Sequence, residues 1–242
     1  DILNGSVNIK GNVFSTLNPS LYIGEYGTDY PYNSTNSFGK ISGNVVDYAP
    51  LTNNPVPISC GVLSEAGKTY TLTQNVSSTG TCFNITAQNI TLDCNGNWIT
   101  YSTGGLEDNY GIYTDQFNST IKNCNIIDGN WSGNSNREGI YLVGSFNSTL
   151  FNNFVNTSNS SACYITGSNF SNVTSNRIYS NSSIALALKY SVNGYTLVDN
   201  LIVSLFGQYG LECYGTNSNI SSNNVSGLNG MRFTHQNSFL TN

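Results

Sequence analysis

Charged side chains are the scarcest feature of this 242-residue chain. They make up 9% of it, with 8 Lys and Arg against 13 Asp and Glu, for a net charge of −5. No basic stripe can be assembled from so few cations, which argues against nucleic acid and anionic membranes as partners. Histidine occurs once, as His235, and methionine once. With a single imidazole neither a metal site nor a cofactor is expected. No apolar run approaches the ~18 residues of a spanning helix, so no membrane insertion is expected. No signal peptide is visible, and a chain that starts at Asp1 rather than Met reads as processed or partial. Proline is rare too, and three of the five fall together at Pro50, Pro55 and Pro57.

What the chain has in place of charge is Asn, Ser, Thr, Gly and Tyr. These favour strands and corners, because Asn, Ser and Thr side chains compete with a helical backbone for hydrogen bonds. Disorder usually brings high charge, whereas here apolar residues recur with period two. Glycosylation sequons occur at Asn4, Asn33, Asn84, Asn89, Asn118, Asn130, Asn147, Asn156, Asn159, Asn169, Asn172, Asn181 and Asn219, and also at Asn75 and Asn224. The six cysteines are an even number with almost no metal-binding company, so oxidised pairs are expected. Both features point to an extracellular or cell-surface location with covalent N-glycans.

The organisation is repetitive. Gly111-Ile112-Tyr113-Thr114, Gly139-Ile140-Tyr141-Leu142, Ala162-Cys163-Tyr164-Ile165, Ala185-Leu186-Ala187-Leu188, Gly210-Leu211-Glu212-Cys213 and Gly230-Met231-Arg232-Phe233 superimpose without gaps. Alternation turns the second and fourth residue of each quartet inward. Ile121, Leu150, Val173 and Leu197 form a third inward row. An Asn follows the second strand of each unit, giving the row Asn95, Asn153, Asn176, Asn200 and Asn224, with Cys124 in register and steps of 23, 24 and 24 residues at the end. Stacked amides of this kind read as structural, and Asn75 and Asn224, if buried in that row, should carry no glycan. A period of this size without helical patterning predicts an all-β solenoid with three short strands per rung. Residues 58–242 form that solenoid. Residues 49–57 are a Pro-rich connector, because Pro cannot donate to a ladder. Residues 1–48 are rung-like, since 6–14 and 38–46 share one template around Asn12 and Asn44.

The run Asn89-Ile90-Thr91-Leu92-Asp93-Cys94-Asn95-Gly96 and these repeats resemble right-handed parallel β-helix proteins, the pectate-lyase-like, NosD-like and tailspike-like superfamily. Cys60-Gly61-Val62-Leu63 through Cys82 is similar to the N-terminal portion of Cys- and Asn-rich archaeal surface members. The resemblance implies a right-handed parallel β-helix. It does not choose an activity, because such folds carry enzymes, sugar binders and structural proteins alike.

Three groups of residues could carry chemistry. Tyr113, Tyr141 and Tyr164 form an outward column that either braces the strands or offers a saccharide platform. Glu107, Asp108, Arg137 and Glu138 precede the first strands of two successive rungs, and are weak catalytic candidates beside a reading as soluble turn residues. Glu212 and Arg232 read as an exposed pair on adjacent rungs. Cys60 with Cys82 would staple the start of the solenoid, and Cys94 with Cys124 would bridge a corner if their Cα atoms lie within ~7 Å; Cys163 and Cys213 are expected free and buried. The expected function is a structural subunit of a cell-surface or extracellular filament, its partner being itself, head to tail. The alternative is a polysaccharide-binding or polysaccharide-cleaving β-helix, with a polysaccharide as partner.

Overall fold

The computed structural model describes residues 59–106, 108–130, 136–190, 193–236 and 239–241, together with four short strands among the first 58 residues. Asn4, Asn33, Asn12, Asn44, Glu107 and the 49–57 connector therefore lie outside the described residues. The chain divides into two compact units, 1–56 and 57–242.

In the first unit, Phe14–Ser15 pairs in parallel with Val46–Asp47, Phe14 opposite Val46. This is the register obtained by laying 6–14 on 38–46. Tyr22–Glu25 and Thr28–Pro31 form an antiparallel pair between them.

The second unit is a parallel β-solenoid of seven three-stranded coils and two strands of an eighth, with no helix among the described residues. Each coil contributes one strand to each of three sheets. The first sheet runs from Gly61–Leu63 through Phe83–Ile85, Ile112–Thr114, Ile140–Val143, Cys163–Thr166, Leu186–Lys189 and Leu211–Thr216 to Met231–Gln236. The second begins at Thr69–Thr71 and ends at Phe239–Thr241, and the third begins at Val76–Ser77 and ends at Asn224–Ser226. Neighbouring strands pair without slippage, so Ile112 lies opposite Ile140, Ile140 opposite Cys163, and Cys163 opposite Leu186. With a side-chain period of two, that register stacks like on like up the rod.

Both inward rows of the first sheet are buried from Ile112 and Thr114 to Leu211 and Cys213, as is the row Ile121, Leu150, Val173 and Leu197, which occupies the centre of each second-sheet strand. The third sheet adds Ile99, Ile126, Val155, Ile178 and Ile202, a row the repeat alignment does not isolate. Two inward positions depart from expectation. Met231 is 43% exposed and Phe233 half-buried, because no further coil among the described residues covers the eighth.

The first residue of each aligned quartet is Gly or Ala, and at Gly111, Gly139 and Gly210 the reason is steric. A Cβ on Gly139 would sit 2.2 Å from Val155 Cγ1 and 2.8 Å from the Ala162 carbonyl, and one on Gly111 2.4 Å from the Gly139 carbonyl. At these two positions the backbone turns into the first sheet too close to the following coil and to its own coil's third strand to admit a Cβ.

The Asn row exists with Asn153, Asn176 and Asn200 as expected, and departs from expectation at its two ends. Its members are Asn153, Asn176, Asn200 and Asn223. From Asn176 onward each Oδ1 accepts the backbone N–H and the side-chain Nδ2–H of the residue one coil earlier: Asn176 from Asn153 (2.9 and 3.0 Å), Asn200 from Asn176 (2.9 and 3.0 Å), Asn223 from Asn200 (3.0 and 2.9 Å). Each Nδ2 also donates to a carbonyl of the preceding coil, those of Ile121, Leu150, Val173 and Leu197. Asn224 is not in the ladder. It lies opposite Leu201 on the outer face and is exposed, because Ser222 takes the left-handed corner conformation and Asn223 follows it inward. The same left-handed residue, with φ from 52° to 59°, precedes every member and Cys124: Asn123, Asn152, Ser175, Asp199 and Ser222.

Asn95 is likewise outside the ladder. Four residues separate Asp93 from Trp98 where two separate Lys122 from Asn125. The longer corner exposes Asn95, at φ 49°, and delegates the donor role to Asn97, whose Nδ2 reaches the Leu72 carbonyl at 3.0 Å. Asn75 is exposed too, so the burial argument against glycans at Asn75 and Asn224 does not hold.

Two disulfides join Cys60 to Cys82 and Cys94 to Cys124, with Cα separations of 4.4 and 4.7 Å. Cys163 and Cys213 are free and buried, and burial raises both thiols, that of Cys213 to about 12. Thiolate chemistry is thereby suppressed.

Candidate functional site

The outward positions of the first sheet build the most elaborate surface. Column position follows from register: Val62, Asn84, Tyr113, Tyr141, Tyr164, Ala187, Glu212 and Arg232 lie one above the next. The tyrosines are half-buried and pack on one another. Tyr113 meets Tyr141 edge-on at 5.7 Å, and Tyr141 meets Tyr164 edge-on at 5.4 Å. Tyr110, from the corner before the third coil, lies 4.9 Å from Tyr141 and stacks on Tyr113 at 5.7 Å. Rings that meet edge to face satisfy each other's quadrupoles and brace the coils. They leave less flat surface for a sugar than three parallel rings would.

Of the four carboxylate and guanidinium candidates, Glu107 lies outside the described residues and the other three do not form one centre. Arg137 is fully buried inside the third corner, 3.4 Å from the equally buried Asp128. Ser158 donates to Asp128 at 2.6 Å, and the Tyr101 hydroxyl donates to the Arg137 carbonyl at 2.6 Å. Arg137 therefore pins the corner from within and cannot reach a substrate on the outer face. Asp108 occupies an exposed left-handed corner, as Asn136 does one coil on. Glu138 stands at the edge of the tyrosine face. Desolvation pushes its carboxyl up to about 7, with a smaller push from Asp108, against a backbone hydrogen bond that lowers it. Tyr110, beside it, is pushed up to about 12 by burial and by the Glu138 and Asp108 charges.

Glu212 needs correction: it is not an exposed partner of Arg232 but only 3% exposed. Lys189 lies 2.8 Å from Oε2, Arg232 3.3 Å from Oε1, and the Tyr214 hydroxyl donates to Oε1 at 2.9 Å. Burial works to raise its carboxyl, but the hydrogen bonds from Lys189 and Tyr214 prevail and hold it below its ordinary range. Alignment shows Glu212 above Ala187. It does not show that long side chains from three coils converge over it.

Asp93 faces outward as the alternation requires, salt-bridged to Lys122 at 3.1 Å and accepting from Asn123 at 3.0 Å. The described residues contain no group of three His, Cys, Asp or Glu placed to hold a metal ion, and no helix long and apolar enough to cross a membrane. Open clefts indent the surface of the described residues, and two adjoin the residues above. One, of about 310 Å³, lies at the foot of the tyrosine column and is lined by Gly61, Val62, Thr81, Cys82, Asn84, Tyr110 and Tyr113. The other, of about 260 Å³, lies beside the long corner and includes Asn95, Asn123, Asn152, Phe154 and Arg177.

No protein-family model, no curated protein and no solved structure matches the chain.

The sequons fall on one side of a clean division. Each of Asn84, Asn89, Asn118, Asn130, Asn147, Asn156, Asn159, Asn169, Asn172, Asn181 and Asn219 is exposed or half-exposed. The fully buried ladder residues Asn153, Asn176 and Asn200 begin no sequon. Asn89, Asn118 and Asn147 form an outer ladder of their own, with Asn118 donating to Asn89 at 2.9 Å and Asn147 to Asn118 at 3.2 Å.

Proposed function

We propose that this protein is a secreted, N-glycosylated structural subunit of a cell-surface or extracellular filament, assembled head to tail, and that it belongs to the right-handed parallel β-helix superfamily its repeats resemble. The observation that carries the reading is the parallel pair Phe14–Ser15 with Val46–Asp47. Its partners are 32 residues apart, a coil-like spacing, so the first unit has the hydrogen-bonding pattern that continues a solenoid. The solenoid offers it somewhere to dock. Among the described residues, the strands of the first and eighth coils pair on one side only. An unpaired strand edge recruits another strand, and a heterologous contact of this kind propagates as an open filament. The outward placement of the sequons supports a glycan coat that keeps the sides from adhering.

Electron microscopy of the native material, with light scattering across concentration, tests the reading. Rods with a ~4.8 Å cross-coil repeat are expected. A monodisperse monomer at every concentration overturns it. Val46→Pro, which removes a ladder donor from the first unit, should shorten the rods while leaving the melting of the solenoid unchanged.

A second reading, polysaccharide binding or cleavage on the tyrosine face, is favoured by one observation: Glu138, at about 7, stands beside the rings, in the range that suits a general acid. Turnover or glycan-array binding abolished by Glu138→Gln would establish it. Full glycan-array silence of the unglycosylated protein would remove it.

A further inference from the structure

Asn84 shares with Asn156 an outward strand position opposite a tyrosine, Tyr113 for one and Tyr179 for the other, but of the two it is Asn84 that also lines a cleft. Asn84 lies directly opposite Tyr113 on one side and Val62 on the other, in the same outward column. Neighbouring strands are ~4.8 Å apart, so the first sugar on Asn84 Nδ2 would begin within one ring's width of the phenol. The cleft of about 310 Å³ that Asn84 lines is also lined by Tyr110, Tyr113 and Val62. Val62, beside Asn84 in the column and sharing the cleft with both rings, is 62% exposed, an apolar surface not covered among the described residues. The Asn84 amide makes no side-chain hydrogen bond among the described residues. In contrast, Asn118 and Asn147 donate their amides to the outer ladder, while Asn75 and Asn159 accept from Trp98 and Ser182. Thr86, the hydroxyl residue of this sequon, is exposed.

We infer that the Asn84 glycan folds back along the first sheet, its first N-acetylated sugar lying on Tyr113 and Tyr110 with the acetyl methyl against Val62, so that the tyrosine face is a docking site for the chain's own glycan. The chemistry matches on each side. A pyranose has one face lined with C–H groups, which pack on the negative face of a phenol ring. Its hydroxyls remain on the solvent side, and the acetyl group supplies the apolar contact that Val62 lacks. Stacking on Tyr110 and Tyr113 directs the following sugars toward Tyr141 and Tyr164, across the surface that a free polysaccharide would need. This inference rests on the glycoprotein reading above and adds to it a specific glycan and a role for the face.

Tyrosine nitration of the native glycoprotein, mapped by peptide mass spectrometry alongside site occupancy, tests it. Comparison is with Asn84→Gln and, because that change alters the cleft itself, with Thr86→Ala, which removes the sequon and leaves Asn84 in place. Tyr113 should be nitrated at least fivefold faster in both variants than in the native protein. Tyr179, half-buried on the third sheet, should react at the same rate in all three. Equal Tyr113 rates with and without the glycan overturn the inference. So does an unmodified Asn84 in a protein whose other sequons are occupied, a result that leaves the glycoprotein reading standing. A native protein with no glycan at any sequon overturns both.

Discussion

A buried amide in this rod serves two coils at once. Removing Asn176 strips an acceptor from the Asn153 N–H and a donor from the Leu150 carbonyl, both sealed from water. Each orphaned group costs about 1–3 kcal/mol, so Asn176→Ala should destabilise by roughly 2–4 kcal/mol in denaturant titration. Asn224→Ala, one residue from the ladder but on the outer face, should stay within about 0.5 kcal/mol. The pair also measures what could be read from residues alone. An Asn after each second strand was legible, but which of two adjacent asparagines turns inward was not, because that depends on which residue takes the left-handed corner. At Asn223-Asn224 Ser222 takes it; at Asn95-Gly96-Asn97 two extra residues defer the inward position to Asn97. Glu138 provides the pH-dependent case. Its carboxyl rises from the ordinary 4.5 to about 7 on folding. The neutral form is the one the fold favours, so its contribution is complete below pH 4.5 and is lost as pH rises through 7. The native chain should lose roughly 1–3 kcal/mol of stability relative to Glu138→Gln between pH 4.5 and 8, visible as converging or crossing denaturation midpoints. A constant difference across that range would contradict the assignment.

For the single strand, the informative signal was size as much as hydrophobicity. The quartets aligned without gaps because a small residue opens each first-sheet strand, and the structure gives the cause in the near-contact of Gly139 with Val155 and Ala162. Gly139→Ala, conservative by composition, should therefore destabilise by about 1–3 kcal/mol through overpacking, whereas Gly96→Ala meets no neighbour within 4 Å and pays only for its φ of 79°. Comparing the two by thermal melting separates crowding from backbone strain. What strand patterns concealed was convergence between coils. Glu212 alternates outward like Tyr164, and burial reached it only through Lys189, Tyr214 and Arg232. Arg137 went the other way: charge suggested a solvent corner, yet Asp128, a coil earlier, holds it inside.

Over the whole rod, the architecture was readable because a stacked fold repeats its evidence in every turn, whereas a surface site is written once, by side chains distant in sequence. The two ways of joining coils do not overlap. Cys60–Cys82 and Cys94–Cys124 link the first three coils covalently, and the Asn ladder runs from Asn153 to Asn223, its first Oδ1 accepting the Cys124 N–H at 3.0 Å. Pulled from its ends, such a rod should behave as two springs in series. The amide-linked coils should peel off one at a time, each releasing 23 or 24 residues until the last, from Asn153 back to Cys124, releases 29, and so lengthening the tether by roughly 70–95 Å per step. The peeling should halt at Cys124. Adding reductant during an optical-trap pull should restart it, and a trace in which reductant changes nothing would show that the covalent links carry no tension.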